Sequence, residues 1–340
     1  MRAARARAGY TLTPTRMGPL GPRRRPGPGR QIGKDVNTMS ATVPFDAARA
    51  VTITALRAMK AAGRPVVMVT AYDTPSARLV DSTGVDAVLV GDSLGMTVLG
   101  YDSTLPVTLD DMVRHTAAVV RGVKRALVIA DMPFMSFQVS PEDAVRNAGR
   151  LMAEGGAAAV KVEGGTVVAP TVRRIVEAGI PVMGHAGLTP QSVHQLGGYR
   201  VQAKETASAL ALIEDCRALE EAGAFAIVLE CIPAELAALV SRELAVPTIG
   251  IGAGAGCDGQ VQVFHDLLGL GGDFVPRHSR RFADVGAMIR QAVAAYADQV
   301  RDRTFPSAEQ MTHMAPGVAD EVERARRGLL RAVGDDIERG

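Results

Sequence analysis

The sequence predicts an α/β protein built as a (β/α)8 TIM barrel, and three observations carry that prediction. Short, continuously apolar segments alternate with segments of helical periodicity along most of the chain, as expected of strands that helices bury on both faces. The 340 residues exceed the roughly 250 that such a barrel needs. Polar residues follow several different predicted strands, which favours a barrel over a doubly wound open sheet with a single switch point.

Seven segments are predicted to be β-strands, because each is short and rich in Val, Ile, Leu or Ala. They lie at residues 65–70, 86–91, 126–131, 158–163, 181–184, 225–230 and 247–251. The pattern does not resolve an eighth strand, for which residues 260–264 and residues 273–276 are both candidates.

The segments between these strands have apolar residues at helical spacing. Helices are predicted at residues 109–123, 141–154, 168–178, 204–222 and 233–244, with a closing helix at 283–299 and a charged helix at 320–339. Pro141 and Pro233 suit the first turn of the helices that they begin. The predicted organisation is a basic arm at residues 1–40, a catalytic barrel at residues 41–300 and a helical tail at residues 301–340.

The charge distribution argues against a nucleic-acid-binding barrel. The chain is 47% hydrophobic and 22% charged, which is close to the globular average. Nine Lys or Arg and no acid lie in residues 1–34, so the net charge of +2 becomes −7 for the remainder. A nucleic-acid-binding body would carry a basic face. The apolar runs also fall short of the roughly 18 residues that a membrane span needs, so neither a nucleic acid nor a membrane is a predicted partner.

The arm and the cysteines add two expectations. Arg, Pro and Gly fill residues 21–30 without apolar periodicity, which predicts disorder. The arm is Arg-rich like a transit peptide, but its Pro and Gly content argues against an amphipathic helix, and an over-extended start with the natural beginning near Met39 is the alternative. Cys216, Cys231 and Cys257 match neither a disulfide framework nor a zinc site, so reduced thiols and a cytoplasmic location are expected.

Three acids stand at the ends of predicted strands: Asp92, Asp131 and Glu163. Carboxylates that converge on one rim repel each other unless a cation lies between them. An oxygen-rich set of ligands suits Mg²⁺, which retains water and leaves room for a chelating substrate. The alternative for each acid is a helix cap or a loop hydrogen bond.

A lysine, a histidine and a fourth acid follow the same pattern. Lys161 lies two residues before Glu163, so both side chains face the same side of their strand, and a buried lysine needs an anionic partner such as a substrate carboxylate. A structural salt bridge is the alternative for Lys161, and a core position is the alternative for His185. Glu230 ends an apolar strand and is a candidate general base, or a cap for the helix that begins near Pro233.

The glycine-rich run at residues 250–259 contains a formal Gly-x-Gly-x-x-Gly at 254–259. A dinucleotide-binding fingerprint opens the first βαβ unit and has an acid about 20 residues further on. This run lies late in the chain without that context. A turn whose backbone approaches a ligand is therefore the preferred interpretation.

Taken in order, a series of motifs resembles the 3-methyl-2-oxobutanoate (ketopantoate) hydroxymethyltransferase family. The matching segments are Val-Thr-Ala-Tyr-Asp at 69–73, Val-Gly-Asp-Ser-Leu-Gly-Met at 90–96, Asp-Ser-Thr-Leu-Pro-Val-Thr at 102–108, Ala-Asp-Met-Pro-Phe at 130–134, Val-Lys-Val-Glu-Gly-Gly at 160–165, Gly-His-Ala-Gly-Leu-Thr-Pro-Gln at 184–191, Val-Leu-Glu at 228–230, Gly-Ile-Gly-Ala-Gly at 250–254 and Asp-Gly-Gln at 258–260. The resemblance covers roughly residues 45–300 and leaves out the arm and the last forty residues.

The resemblance implies a barrel of the phosphoenolpyruvate/pyruvate superfamily, usually a decamer, whose partners are a small keto acid and a folate. It implies hydroxymethyl transfer from 5,10-methylenetetrahydrofolate, as co-substrate, to 3-methyl-2-oxobutanoate. The product would be 2-dehydropantoate, for pantothenate and coenzyme A synthesis. Mg²⁺ would stabilise an enolate of the keto acid.

The resemblance also assigns roles to individual residues. Asp92 and Asp131 would be metal ligands that also contact the substrate, and Glu163 would belong to the same metal site, directly or through water. Ser93 and Lys161 would bind the carboxylate of the keto acid. His185 would line the substrate pocket, and Glu230 would be the catalytic base.

Two alternatives stay open. Another lyase or mutase of the same superfamily would use the same metal and enolate chemistry, but such enzymes carry a reactive cysteine loop that we do not find in this sequence. A non-catalytic barrel that serves as a scaffold, or binds nucleic acid through its arm, is the second alternative. The intact Asp92, Asp131, Lys161 and Glu230 count against lost activity.

Overall fold

Eight parallel strands form a closed barrel in the computed structural model, which describes residues 49–271 and 276–338. Each strand pairs with the next along the chain, and β8 pairs with β1 to close the barrel. Helices lie between successive strands for most of the circuit. The predicted (β/α)8 barrel is therefore confirmed, and the predicted basic arm at residues 1–40 lies outside the described residues.

The strands match the apolar segments of the sequence. They are β1 Val66–Thr70, β2 Ala87–Val90, β3 Leu127–Asp131, β4 Ala159–Glu163, β5 Val182–Gly187, β6 Ala226–Glu230, β7 Thr248–Ile251 and β8 Gly259–Gln262. The seven predicted strands are confirmed, although β5 extends beyond its predicted end, so that His185 lies within it. The eighth strand occupies the first of its two candidate positions, and most of the second lies outside the described residues.

Several helices begin after a residue whose side chain caps them. The helices are α1 Ile53–Ala61, α2 Thr74–Ser82, α3 Leu94–Thr97, α4 Leu109–Gly122, α5 Pro141–Ala153, α6 Ala169–Glu177, α7 Thr206–Glu221, α8 Ala234–Glu243, α9 Phe264–Leu268, α10 Val285–Arg301 and α11 Val318–Glu338. Those with a side-chain cap include α1, α2, α4 and α5. Pro141 begins α5, after Ser140, whose side chain accepts from the amide of Asp143, as expected of a helix N-terminus. Pro233 precedes α8 instead of lying in its first turn.

The core has two layers that alternate along each strand. One apolar cluster fills the barrel and includes Met68, Leu89, Ile129, Met183 and Val228. The other lies between strands and helices and includes Val88, Val128, Val160, Val182 and Ile227. Since successive side chains of a strand point to opposite faces, the residues two positions after inward-facing ones also point into the barrel. This alternation directs the polar residues at the strand ends inward.

The chain continues beyond the barrel into two long helices. They lie close to the positions predicted for the closing helix and the charged helix. None of the residues of α10 is buried. Within residues 49–271 and 276–338, no helix combines the length and the apolar character needed to cross a membrane.

Candidate active site

The predicted site residues meet at the carboxyl ends of strands β2 to β6. Asp131 pairs with Lys161 across β3 and β4, and Glu163 pairs with His185 across β4 and β5. Their side chains continue the inward face of these strands, whose deeper positions belong to the apolar cluster inside the barrel. The register thus brings into one cluster residues that the sequence separates.

Asp92 and Asp131 form a buried pair of carboxylates. Asp92 follows β2, and its backbone N–H donates to Oδ2 of Asp131 at 3.0 Å. Burial, then the neighbouring charges of Asp131 and Glu163, hold the pKa of Asp92 well above its usual range. Burial also raises the pKa of Asp131, although the Lys161 ammonium opposes the shift. Two such carboxylates are stabilised in their ionised form by a cation between them.

Lys161 supplies a positive charge beside this pair. Its Nζ lies 2.8 Å from Oδ1 of Asp131, and both side chains are buried. Burial alone would lower the pKa of Lys161, but the carboxylates of Asp131, Glu163 and Asp92 outweigh it and raise the pKa. The side chain is therefore an ammonium at neutral pH.

His185 lies between two carboxylates on neighbouring strands. Its Nδ1 is 3.4 Å from Oε1 of Glu163, and its Nε2 is 3.2 Å from Oε2 of Glu230. Burial and the charge of Lys161 lower the pKa of His185, but the two carboxylates outweigh them and raise it to about 9. Nδ1 of His185 also lies 3.2 Å from Nζ of Lys161. An imidazolium cannot accept a hydrogen bond, so this contact is not a hydrogen bond when His185 is protonated.

Glu163 has both carboxylate oxygens engaged. Oε1 faces His185, and Oε2 accepts from the backbone N–H of Gln191 at 3.0 Å. Burial would raise the pKa of Glu163, but His185, Lys161 and the Gln191 amide outweigh it and lower the pKa. The carboxylate is ionised and its orientation is fixed from two sides.

Glu230 is the more accessible carboxylate. Its side chain is 14% exposed, compared with 4% for the side chains of Asp131 and Glu163. The chain turns sharply after it, because Cys231 has a left-handed backbone with a φ of 48°, a conformation that costs a non-glycine residue free energy. Gly187 lies alongside, where an added Cβ would meet the backbone oxygen of Glu230 at 2.4 Å. Only glycine allows β5 to end this close to Glu230.

Two further residues of the cluster have no role in the sequence interpretation. The hydroxyl of Tyr72 lies 2.9 Å from Oγ of Ser93, and burial raises the pKa of Tyr72 to about 12. The side chain of Gln191 donates to Oδ2 of Asp92 at 2.9 Å. Both residues lie in motif segments of the sequence, and that membership is the signal that could have indicated them.

Asp73, which ends the motif at residues 69–73, and the glycine-rich run at residues 250–259 differ from these residues. Asp73 follows β1, but its Oδ1 accepts from the amide of Ser76 at 2.7 Å and caps α2. The glycine-rich run at residues 250–259 leads from β7 into β8 without an intervening helix. It therefore lacks the strand, loop and helix context of a dinucleotide-binding fingerprint.

The cluster fits a divalent cation that keeps some of its water. Among the residues that the structure describes, no group of three or more His, Cys, Asp and Glu side chains is arranged to hold a metal. Oδ1 of Asp131 is buried and has no well-aligned hydrogen bond, although Lys161 lies nearby. Asp92 and Asp131 therefore suit two direct ligands, and the doubly engaged Glu163 suits contact through water. Mg²⁺ binds through one or two carboxylates together with water and substrate oxygens.

A parallel barrel with buried carboxylates, a lysine and a histidine at the carboxyl ends of several strands defines an α/β-barrel enzyme. The chain belongs to the ketopantoate hydroxymethyltransferase family, whose family model matches residues 50–308. This match confirms the resemblance that the motifs predict, and it places the chain among the hydroxymethyltransferases.

Curated relatives match across most of the chain. A 3-methyl-2-oxobutanoate hydroxymethyltransferase of Dehalococcoides mccartyi is 56% identical over 273 residues, which cover 80% of this chain and 97% of the relative. One from a Roseiflexus species is 57% identical over 278 residues, which cover 82% of this chain and 99% of the relative.

Solved structures share the fold at low sequence identity. A phosphonopyruvate hydrolase in complex with oxalate and Mg²⁺ has a TM-score of 0.52 and 14% identity, covering 83% of this chain and 98% of its own. A 2,3-dimethylmalate lyase, described as a member of the PEP mutase/isocitrate lyase superfamily, has a TM-score of 0.50 and 22% identity, covering 85% of this chain and 98% of its own. Identities this low support the fold alone.

Proposed function

We propose that this chain transfers a hydroxymethyl group from 5,10-methylenetetrahydrofolate to 3-methyl-2-oxobutanoate, forming 2-dehydropantoate for pantothenate and coenzyme A synthesis. The relatives from Dehalococcoides mccartyi and Roseiflexus carry the name of this activity. The observation that carries the proposal is the grouping of the buried Asp92 and Asp131 with the Lys161 ammonium and the more accessible Glu230. Removal of the C3 proton from a bound keto acid would use these four groups: two metal ligands, a cation that binds the substrate carboxylate, and a base.

The keto acid is held through its carboxylate. Lys161 provides a protonated nitrogen in a buried setting, where a charge-assisted hydrogen bond to a carboxylate is strong. Ser93 provides a hydroxyl whose position is fixed by the contact with Tyr72. His185 lines the same pocket between Glu163 and Glu230. These contacts fix the orientation in which C3 of the substrate is presented to Glu230.

Asp92 and Asp131 would hold Mg²⁺, with Glu163 in contact through water. When bound, the cation acts as a Lewis acid on the keto oxygen and makes the C3 hydrogen more acidic. Glu230 accepts that proton, and its Oε2 lies 3.2 Å from Nε2 of His185. The C3–H bond breaks and a C–C bond forms from C3 to the methylene carbon of the donor. That carbon loses its bonds to N5 and N10 of the folate and gains the hydroxyl group of a water molecule. The C3 proton and the remaining hydrogen of the water end on the two folate nitrogens, which gives tetrahydrofolate.

The chain acts as a homo-oligomer in this proposal. Apolar side chains of α10 are largely exposed, including Met288 at 65%, Val293 at 60% and Tyr296 at 55%. An apolar helix face of this extent is costly to leave in water. A second copy of the chain would cover it, and the decamer that the family resemblance implies would contain such a contact.

The barrel is the catalytic unit of the proposal, and the arm and the tail contribute no group to the chemistry. The proposed site residues lie between Asp92 and Glu230. A cytoplasmic location is supported by Cys216, Cys231 and Cys257, all of which are free thiols and are thus compatible with a reducing compartment.

Product formation tests the proposal. The purified chain is incubated with 3-methyl-2-oxobutanoate, 5,10-methylenetetrahydrofolate and Mg²⁺, and 2-dehydropantoate is identified by mass spectrometry. We expect product only when both substrates and the metal are present, and we expect an Asp110→Asn variant, whose change lies on the outer helix α4, to retain activity. No turnover with any divalent metal would overturn the proposal.

A further inference from the structure

Gln191 joins four consecutive strand ends of the barrel through its side chain and backbone. It lies in a short 3-10 helix, Pro190–Ser192, that follows β5, and only 6% of its surface is exposed. Its Nε2 donates to Oδ2 of Asp92 after β2 and to the backbone oxygen of Met132 after β3, both at 2.9 Å. Its backbone N–H donates to Oε2 of Glu163 at the end of β4.

The orientation of the Gln191 amide is determined by its neighbours. A carboxylate and a backbone carbonyl can only accept hydrogen bonds, so the group that faces Asp92 and Met132 must be the NH₂. Oε1 then accepts from Nε2 of Gln138 at 3.2 Å, and Oε1 of Gln138 accepts from the backbone N–H of Phe137 at 3.3 Å. The chain of donors and acceptors runs in one direction and ends on Asp92.

We propose that Gln191 is a positioning residue for the divalent-cation site, and that its uncharged amide sets the orientation in which Asp92 presents its carboxylate to the metal. This inference rests on the proposed function, in which Asp92 is a direct ligand. Nε2 of Gln191 donates a hydrogen bond to Oδ2 of Asp92 from one fixed direction. This hydrogen bond restricts rotation of the Asp92 carboxylate. Partners that orient ligands in this way strongly influence metal affinity.

The side chain and the backbone of Gln191 act on different ligands, which makes the role separable. A substitution removes the two hydrogen bonds from Nε2, whereas the backbone N–H to Glu163 stays. Loss of the side-chain amide thus affects the orientation of Asp92 and leaves the contact to Glu163 in place. A purely structural role would lower the stability of the loop after β5 without changing the metal affinity of the folded protein.

The experiment compares Gln191→Met with wild type and with Gln260→Met, a matched change at an exposed glutamine whose Nε2 donates to the backbone oxygen of Gly254. Mn²⁺ is titrated into the full-length protein without substrates, and the free ion is measured by electron paramagnetic resonance. We expect Gln191→Met to raise the dissociation constant for Mn²⁺ by about 10- to 100-fold, with no change for Gln260→Met. In turnover assays, we expect saturating Mg²⁺ to restore much of the kcat of Gln191→Met.

The Mn²⁺ titrations distinguish failure of the positioning role of Gln191 from failure of the proposed function. Unchanged Mn²⁺ affinity in folded Gln191→Met would overturn the positioning role, whereas a wild-type protein that binds no Mn²⁺ would contradict the proposed function itself. Urea unfolding in the presence of a chelator reports stability separately. If Gln191→Met does not fold, Gln191→Asn, whose amide is one methylene too short to reach Asp92, takes its place with the same expected result. Failure of both variants to fold would show a structural role and overturn the inference.

Discussion

Nζ of Lys161 lies 2.8 Å from Oδ1 of Asp131, and only 4% of each side chain is exposed. The two residues occupy paired positions of β3 and β4, so the backbone register sets their separation. The contact is a buried ion pair, and the Asp131 carboxylate contributes to the raised pKa of Lys161. An ammonium has three N–H donors, so Lys161 can pair with Asp131 and still donate to the substrate carboxylate of the proposed function.

Replacement of Lys161 by Met tests its role in binding the keto acid. We expect kcat/KM for 3-methyl-2-oxobutanoate to fall by at least about 100-fold, mainly through a higher KM, because a charge-assisted hydrogen bond to the substrate is lost. Removing one member of a buried charged pair also costs about 3 kcal/mol of stability. Steady-state kinetics and urea unfolding measure the two effects.

Lys161→Arg is the control that keeps the positive charge. We expect it to retain more activity than Lys161→Met, although a guanidinium has a different shape and does not replace an ammonium fully. An unchanged KM in Lys161→Met would show that Lys161 does not bind the substrate and serves only as the partner of Asp131.

The N-terminus of α4 gives a pH-dependent contribution to stability. Oδ2 of Asp111 accepts from the hydroxyl of Thr108 at 2.7 Å and from its backbone N–H at 3.1 Å. The hydrogen bond from the Thr108 side chain, which outweighs burial, lowers the pKa of Asp111. A lowered pKa in the folded state means that the stabilisation is present above the ordinary carboxyl pKa and is lost as the pH falls through the lowered value.

Asp111→Ala is expected to cost roughly 0.5–1 kcal/mol of stability at pH 7, a typical value for a lost helix cap. The difference from wild type should shrink when unfolding in urea is repeated below the pKa of the folded state. Asp110→Ala is the control, because Asp110 lies in the same turn but pairs with Arg150 instead of capping the helix. A difference that stays constant with pH would contradict the capping account.

A charge placed on the exposed apolar face of α10 is expected to weaken assembly of the homo-oligomer. Val293→Glu places a charge in the middle of the apolar face, so we expect sedimentation velocity to show smaller species than for wild type. Gln291→Glu adds the same charge on the same helix at a position that is already polar, and it should assemble like wild type. Assembly of Val293→Glu indistinguishable from wild type would show that α10 is not the contact surface.

Strands were predictable where burial on both faces imposed an unbroken apolar run. All four residues of β2 and of β7 are buried, and both strands were found from the sequence. The sequence does not resolve β8, because this strand includes Gln260 and Gln262 and partly faces solvent. A short polar strand has no apolar pattern, and only its pairing with β1 and β7 identifies it.

The sequence indicates the site residues that contrast with an apolar strand, and it does not indicate the uncharged ones in loops. A charged residue such as Asp131 at the end of an apolar strand is an anomaly that requires an explanation. Gln191 and Tyr72 are not anomalous in this way, because uncharged polar residues are common in loops. Their importance lies in contacts with Asp92 and Ser93, which only the folded structure brings together. The sequence also predicted α10 but not the exposure of its apolar face.

Isotope exchange at C3 of the keto acid tests whether Glu230 removes the C3 proton. Wild type and Glu230→Gln are incubated in deuterated water with 3-methyl-2-oxobutanoate and Mg²⁺, without folate, and NMR follows the C3 signal. A parallel Mn²⁺ titration verifies that the variant still binds metal. We expect exchange by wild type and a rate lower by about 10² to 10⁴-fold in the variant, as for loss of a general base. Exchange at the wild-type rate by Glu230→Gln with metal bound would show that Glu230 is not the base.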